Sequence, residues 1–202
     1  LLAWKPLYSY ILESLLGCPE IAQIAVDTDS EIIKDGLSTC FPTVKIIDRP
    51  LNLTADTVPM NDILMHDCEQ IQADLYLQTH STNPLLRSST LSGAIQRIEQ
   101  EPGMYDSLFS VTRLQTRLWS ATGKALNHDP AVLIRTQDLE PVFEENSCIY
   151  LFTKKILLER KNRLGYKPLM YEIDADEAWD IDDELDFEVV ESLMLKRQEK
   201  PT

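Results

Sequence analysis

Residues 21–50, IAQIAVDTDSEIIKDGLSTCFPTVKIIDRP, decide the fold. Ile21 to Val26 is a short apolar run that stops at Asp27-Thr28-Asp29, the pattern of a buried strand with a polar tail. Ser30 to Cys40 has the spacing of an amphipathic helix. Val44 to Ile47 is a second apolar run, and it stops at Asp48-Arg49-Pro50. A strand, a helix and a second strand in so short a span predict a crossover unit. The helix carries the chain back to its starting edge, so the two strands lie parallel.

The same rhythm extends outward. Residues 5–16 have helical spacing, with Leu7, Ile11, Leu15 and Leu16 near one face. Pro59 to Ile71 is predicted helical, with proline early in the first turn, where it is tolerated. Leu75 to Leu77 is a strand ending at Gln78, followed by a polar loop and a helix from Ser88 to Gln100. Pro102-Gly103 breaks that helix, and Ser107 to Thr112 is the next strand. Further on, Cys148 to Phe152 is a strand, Lys154 to Arg160 a short helix, Leu169 to Ile173 a strand and Glu184 to Leu195 a closing helix. The alternation predicts one domain over residues 1–202, a Rossmann-like three-layer α/β/α fold around a mostly parallel sheet. Residues 113–145, with Gly123, Pro130 and Pro141, break the rhythm and are expected to form a protruding arm for dimer contact or a lid.

Composition narrows the partners. The formal net charge of −14 opposes binding to nucleic acid or to anionic membranes. A small anionic substrate is still compatible, held by a metal ion and a few local arginines. No apolar run approaches the ~18 residues a membrane helix needs. Cys18, Cys40, Cys68 and Cys148 lie far apart, as suits reduced thiols in the cytoplasm rather than a disulfide framework or a zinc site.

In open α/β sheets ligands bind beyond the carboxyl ends of the strands. That rule puts Arg49 and Gln78 on the ligand side. In the step Asp180-Ile181-Asp182 the two carboxylates of an extended chain share one side. Magnesium takes one or two protein carboxylates together with water and phosphate oxygens, so this step suits it. Taken locally, the same acidic run is equally a cap for the helix that follows, with Asp182 or Asp183 near the N-cap. Arg135 and Gln137 are two residues apart and share a face if the segment is extended; a guanidinium there suits a carboxylate. His66, His80 and His128 show no metal-ligand spacing.

Three segments together resemble the acylneuraminate cytidylyltransferases. The first is Tyr171-Glu172-Ile173, then Asp180-Ile181-Asp182 and Glu184-Leu185-Asp186-Phe187. The second is Arg135-Thr136-Gln137-Asp138 leading to Glu145-Asn146-Ser147-Cys148-Ile149-Tyr150, and the third is the strand Tyr105 to Val111. Val26 to Asp29, Arg49-Pro50 with Asp56-Thr57, and Leu77-Gln78 with Asn83-Pro84-Leu85 add shorter matches in the same order. The resemblance implies a CTP-dependent enzyme that transfers CMP to a sialic-acid-like sugar acid and releases pyrophosphate. It also implies that Asp180 and Asp182 bind Mg2+, that Gln78, Arg135, Gln137 and Asn146 contact the sugar, that Arg49 faces the nucleotide, and that the protein is a homodimer. A second sugar acid, 3-deoxy-octulosonate, is the alternative substrate. A non-catalytic nucleotide- or sugar-binding relative is the alternative class.

The sequence also departs from the family pattern. The family's Arg-x-x-Ser-Lys-Gly phosphate loop and the strand before it do not occur. The expectation is that the natural protein extends upstream by roughly 20–30 residues, a strand plus a loop. A sheet without that strand would expose two inner edges. Met60 stands where the family often has serine, Glu144 lies near a frequent arginine position, and Ser147 stands in place of the usual glycine.

Overall fold

A computed structural model of the chain describes residues 1–198. The helices are α1 (Leu7–Leu16), α2 (Glu31–Cys40), α3 (Met60–Gln70), α4 (Ser88–Glu99), α5 (Lys154–Arg160) and α6 (Glu184–Gln198). The strands are β1 (Ala25–Thr28), β2 (Lys45–Asp48), β3 (Tyr76–Gln78), β4 (Ser107–Leu114), β5 (Val142–Phe152) and β6 (Pro168–Glu172). Helix starts follow local chemistry. Pro6 and Pro59 precede α1 and α3, while Ser30 and Thr153 cap α2 and α5 with side chains that accept from Ile33 N and Ile156 N. The first strand starts later than its apolar run suggests, because the chain is still turning after α1, with Ile21 N donating to Cys18 O at 3.1 Å. Leu16, expected on the apolar face, is exposed; it sits about 100° round the helix from buried Leu15.

Among the described residues the strands form two sheets, β1-β2 and β3-β5-β4-β6. β1 and β2 pair in parallel from Ala25↔Lys45 to Thr28↔Asp48, as the crossover unit predicts. β4 and β6 are also parallel, whereas β5 is antiparallel to both β3 and β4. β3, β4 and β6 therefore share one direction and β5 alone opposes them. The reason is the connection: no α-helix lies between β4 and β5, only one short 3-10 turn at Thr136–Asp138, so the chain returns along β4's own edge. Residues 115–141 form that connection. It is shorter than the expected arm because Arg113 and Leu114 still pair with Phe143 and Val142.

Alternation along β5 creates the layers. Ile149 and Leu151 face a cluster with Ile11 and Leu15 of α1 and Leu91 and Ile95 of α4. Tyr150 and Phe152 point the other way, to Leu64 and Cys68 of α3 and Leu157 of α5. Each such fully buried aliphatic side chain stabilises the fold by about 1.5–3 kcal/mol. Val26 and Ile46 from the two-stranded sheet pack on the same large cluster as Leu77, Leu108 and Leu151, so both sheets share one core. α6 covers a smaller cluster through Val190 and Met194, against Leu2, Tyr10 and Leu85. All four cysteines are free thiols, and among the described residues no helix is long and apolar enough to cross a membrane.

The β4–β5 ladder contains one large irregularity. Phe109 pairs with Tyr150, but Val111 pairs with Glu145. Residues 146–149 therefore face Ser110 alone, and the strand bulges outward at Asn146 and Ser147.

Candidate active site

A cavity of about 450 Å³ lies between this bulge and the loop before α6, with Glu145, Asn146 and Ser147 on one wall and Trp179, Asp180 and Asp182 on the other. Asn146 supports the first wall. Its side-chain Nδ2 donates to Thr112 Oγ1 at 2.9 Å, and its Oδ1 accepts from Ser110 Oγ at 2.5 Å. Ser110 Oγ accepts from Ile149 N at 2.8 Å. One Asn146 N–H remains for a ligand. Ser147 adopts φ +58, a left-handed conformation that disfavours a side chain, which accounts for the family's usual glycine here.

The second wall is anchored from below. Glu177, 1% exposed, accepts from Arg87 N at 2.8 Å and Thr90 Oγ1 at 2.9 Å, and pairs with the Arg87 guanidinium at 3.1 Å. A carboxylate at the start of α4 satisfies an unpaired amide and complements the helix dipole. Ile181 N donates to Thr82 O at 3.0 Å, and Asn83 Nδ2 donates to Trp179 O at 3.3 Å. The polar loop after β3 thus holds the chain on both sides of Asp180.

The acidic run divides its work. Asp183 accepts from Asp186 N at 3.0 Å, while Asp186 accepts from Asp183 N at 3.2 Å and Asp182 N at 3.1 Å. This reciprocal cap starts α6 and uses Asp183 and Asp186. Asp180 and Asp182 are left facing the cavity, and Asp180 Oδ1 is buried with no hydrogen-bond partner. Among the described residues no group of three or more His, Cys, Asp or Glu gathers for a metal. A pair of carboxylates with an orphaned buried oxygen fits magnesium, which completes its shell with water and phosphate. Beneath the pair, burial and then the charges of Asp180 and Glu177 push the Cys148 thiol up to about 12, so it stays protonated.

Next to the cavity is a second polar group. Tyr150 OH donates to Glu145 Oε1 and lies 3.2 Å from Ser147 Oγ, while Arg163 stacks its guanidinium 3.4 Å from the Tyr150 ring centroid. Arg163 Nη1 also donates to Gln78 Oε1, and Gln78 Nε2 meets His80 Nε2 at 2.8 Å. Burial and then Arg163 lower the His80 pKa, against an opposing pull from Asp180.

The other expected residues lie elsewhere. Arg49 does not line the cavity; its Nε donates to Asp27 Oδ2 at 3.1 Å and its Nη2 to Asp27 O at 3.3 Å. Asp67 of α3 meets the same Asp27, and burial, then the Asp27 charge, raise its pKa to about 7. Arg135 and Gln137 are exposed on the 115–141 connection and do not line the cavity. Arg135 is ion-paired to Asp138 at 2.6 and 3.0 Å, in a short helical turn rather than an extended segment. Sequence reasoning singled out neither Arg163, Asp67 nor Glu177. Arg163 sits in a loop without a motif, and Asp67 has the look of a solvated helix residue. Glu177 was one acid among many.

The family profile described as Cytidylyltransferase matches residues 1–200. The chain belongs to the cytidylyltransferase family. It is 28% identical to N-acylneuraminate cytidylyltransferase A of Danio rerio over 97% of this chain and 46% of that protein. It is 24% identical to post-translational flagellin modification protein B of Campylobacter coli, over 86% of this chain and 77% of the relative. The chain thus spans about half the length of the zebrafish cytidylyltransferase. In three dimensions it resembles CMP:2-keto-3-deoxy-manno-octonic acid synthetase complexed with CTP, at TM-score 0.70 and 16% identity, covering 96% of this chain and 89% of the other. 4-Diphosphocytidyl-2C-methyl-D-erythritol synthase of Anaerococcus prevotii also superposes at TM-score 0.70, with 12% identity, over 95% and 86% of the two chains. These structural likenesses establish the α/β fold of the cytidylyltransferase family for this chain.

Proposed function

We propose that this cytidylyltransferase chain activates a sialic-acid-like sugar acid with CTP. A sugar hydroxyl oxygen attacks the α-phosphorus, the bond to the bridging oxygen breaks, pyrophosphate leaves and the hydroxyl proton is lost. The observation that carries the reading is the Asp180/Asp182 pair, open to a cavity and left free by the neighbouring cap. Asp180 and Asp182 would hold Mg2+, which when bound offsets charge on the phosphate oxygens. Gln78 would orient the sugar, and Asn146 would offer its remaining N–H. Names of sequence relatives support a sialate-type substrate over 3-deoxy-octulosonate.

Arg49 reaches the nucleotide, in this reading, only by exchanging its Asp27 partner. Arg135 and Gln137 project from the connection, where Leu126, Val132, Leu133 and Ile134 are exposed. Such apolar exposure suits a subunit interface. A homodimer would let one protomer's connection approach the partner's cavity, and we place the protein in the cytoplasm. Sedimentation should give a dimer mass for the wild type and a monomer for Leu133→Asp. A wild-type monomer at micromolar concentration would refute the dimer.

The function is tested by pyrophosphate release from CTP and magnesium across a panel of sugar acids. Release with N-acylneuraminates is expected. Folded protein that releases none with any acid overturns the reading.

A further inference from the structure

We propose that Arg163 receives the carboxylate of the sugar acid. The inference rests on the sugar-acid activation proposed above and names a residue for it that the sequence did not mark.

Position is the first argument. Arg163 lies in the loop between α5 and β6, and its backbone N donates to Asn61 Oδ1 of α3 at 3.0 Å, which pins the loop. The guanidinium is held over the Tyr150 ring and bonds Gln78 Oε1 through Nη1. Tyr150 in turn bonds Glu145 and Ser147, both on one wall of the cavity. Arg163 thus stands beside the cavity wall rather than in its lining.

Charge is the second argument. The cavity presents Glu144, Glu145, Asp180 and Asp182, so an anionic sugar enters against repulsion. Magnesium held by Asp180 and Asp182 would be engaged with the triphosphate, so the sugar carboxylate would need a cation of its own. The other arginines described above already have anions: Arg135 has Asp138, Arg49 has Asp27, and Arg87 has Asp174, Asp176 and Glu177. Arg163 makes no ion pair among the described residues; its contacts are an amide oxygen and an aromatic ring. Both orient the guanidinium without neutralising it, leaving Nε and Nη2 for a two-point contact with a carboxylate.

The test compares a sugar acid with its C1 carboxamide in the full chain. Wild-type protein should bind the acid more tightly than the amide by calorimetry and, with CTP and magnesium, show a lower KM for it. Arg163→Ala should raise the KM for the acid about 10- to 100-fold, leave the KM for CTP within about twofold, and abolish the preference for acid over amide. Arg163→Lys should recover part of that preference. Arg163→Gln keeps a polar side chain over Tyr150 and replaces the alanine variant if the latter melts early. Equal weakening toward acid and amide would show a packing role and overturn the proposal, as would an unchanged KM for the acid. If wild type binds the acid over the amide but releases no pyrophosphate, the catalytic reading fails and Arg163 is still judged by binding. Absence of any acid binding overturns both.

Discussion

Two carboxylate pairs sit near the sheet, and the molecule neutralises them in different ways. Asp27 and Asp67 meet beside the end of β1. The Asp27 side chain is 6% exposed, Arg49 pairs with it, and Asp67 is pushed up to about 7 by burial and its neighbour. Among the described residues Asp180 and Asp182 pair with no arginine; they line an open cavity and one oxygen is left without a partner. A closed carboxylate pair takes up a proton because like charges in low dielectric cannot both ionise. An open pair beside solvent is free to take a metal ion instead. Charge count alone does not separate these outcomes. Access does.

The largest effect expected from breaking this contrast is at the open pair. Asp182→Asn keeps the shape of the side chain but removes the charge proposed to bind metal. Turnover in the pyrophosphate assay should fall on the order of 10³-fold, with a melting temperature close to wild type. Wild-type activity in that variant would remove Asp182 from the metal site.

At the closed pair the readout is stability against pH. Asp67 binds its proton more tightly in the folded chain than at its ordinary 3.8, so the folded state holds more protons between about 4 and 7. Unfolding free energy therefore falls as pH rises through that window, and stability is greatest below it. Asp67→Asn cannot ionise. Its urea midpoint should stay flat where wild type declines, a gain on the order of 1–2 kcal/mol at pH 8 after allowing for partial exposure. A wild-type slope that persists in the variant would assign the decline to another group.

The smallest effect is on the rim of the open cavity. Ser147→Gly relieves a left-handed residue and should stabilise the chain by about 0.5–1 kcal/mol, with the unfolded state's extra freedom offsetting part of the relief. Thermal melting measures it. A lower melting temperature would mean that the hydroxyl's contact with Tyr150 outweighs the strain.

Much of this architecture is legible from local pattern. Helices such as α2 and α5 lie where local pattern predicts them, and the parallel β1-β2 pair follows from the crossover unit. Asp180 and Asp182 are visible as an extended acidic step, and Gln78 as a strand terminus. Arg135 and Gln137 illustrate the limit. Their two-residue spacing puts them on one face only if the chain is extended, and here residues 136–138 form a turn with Arg135 tied to Asp138.

What the sequence by itself determined is the order of elements, the two-faced burial of strands such as β5, and the acidic step at Asp180. Periodicity and end signals are local, and they survive folding. Tertiary structure decided the direction of β5, the hold of Thr82 and Asn83 on the chain either side of Asp180, and the meeting of Arg163 with Tyr150 and Gln78. The meeting of Arg163 with its two partners depends on contacts 13 and 85 positions apart, where loop geometry and burial, rather than neighbouring sequence, set which groups share space.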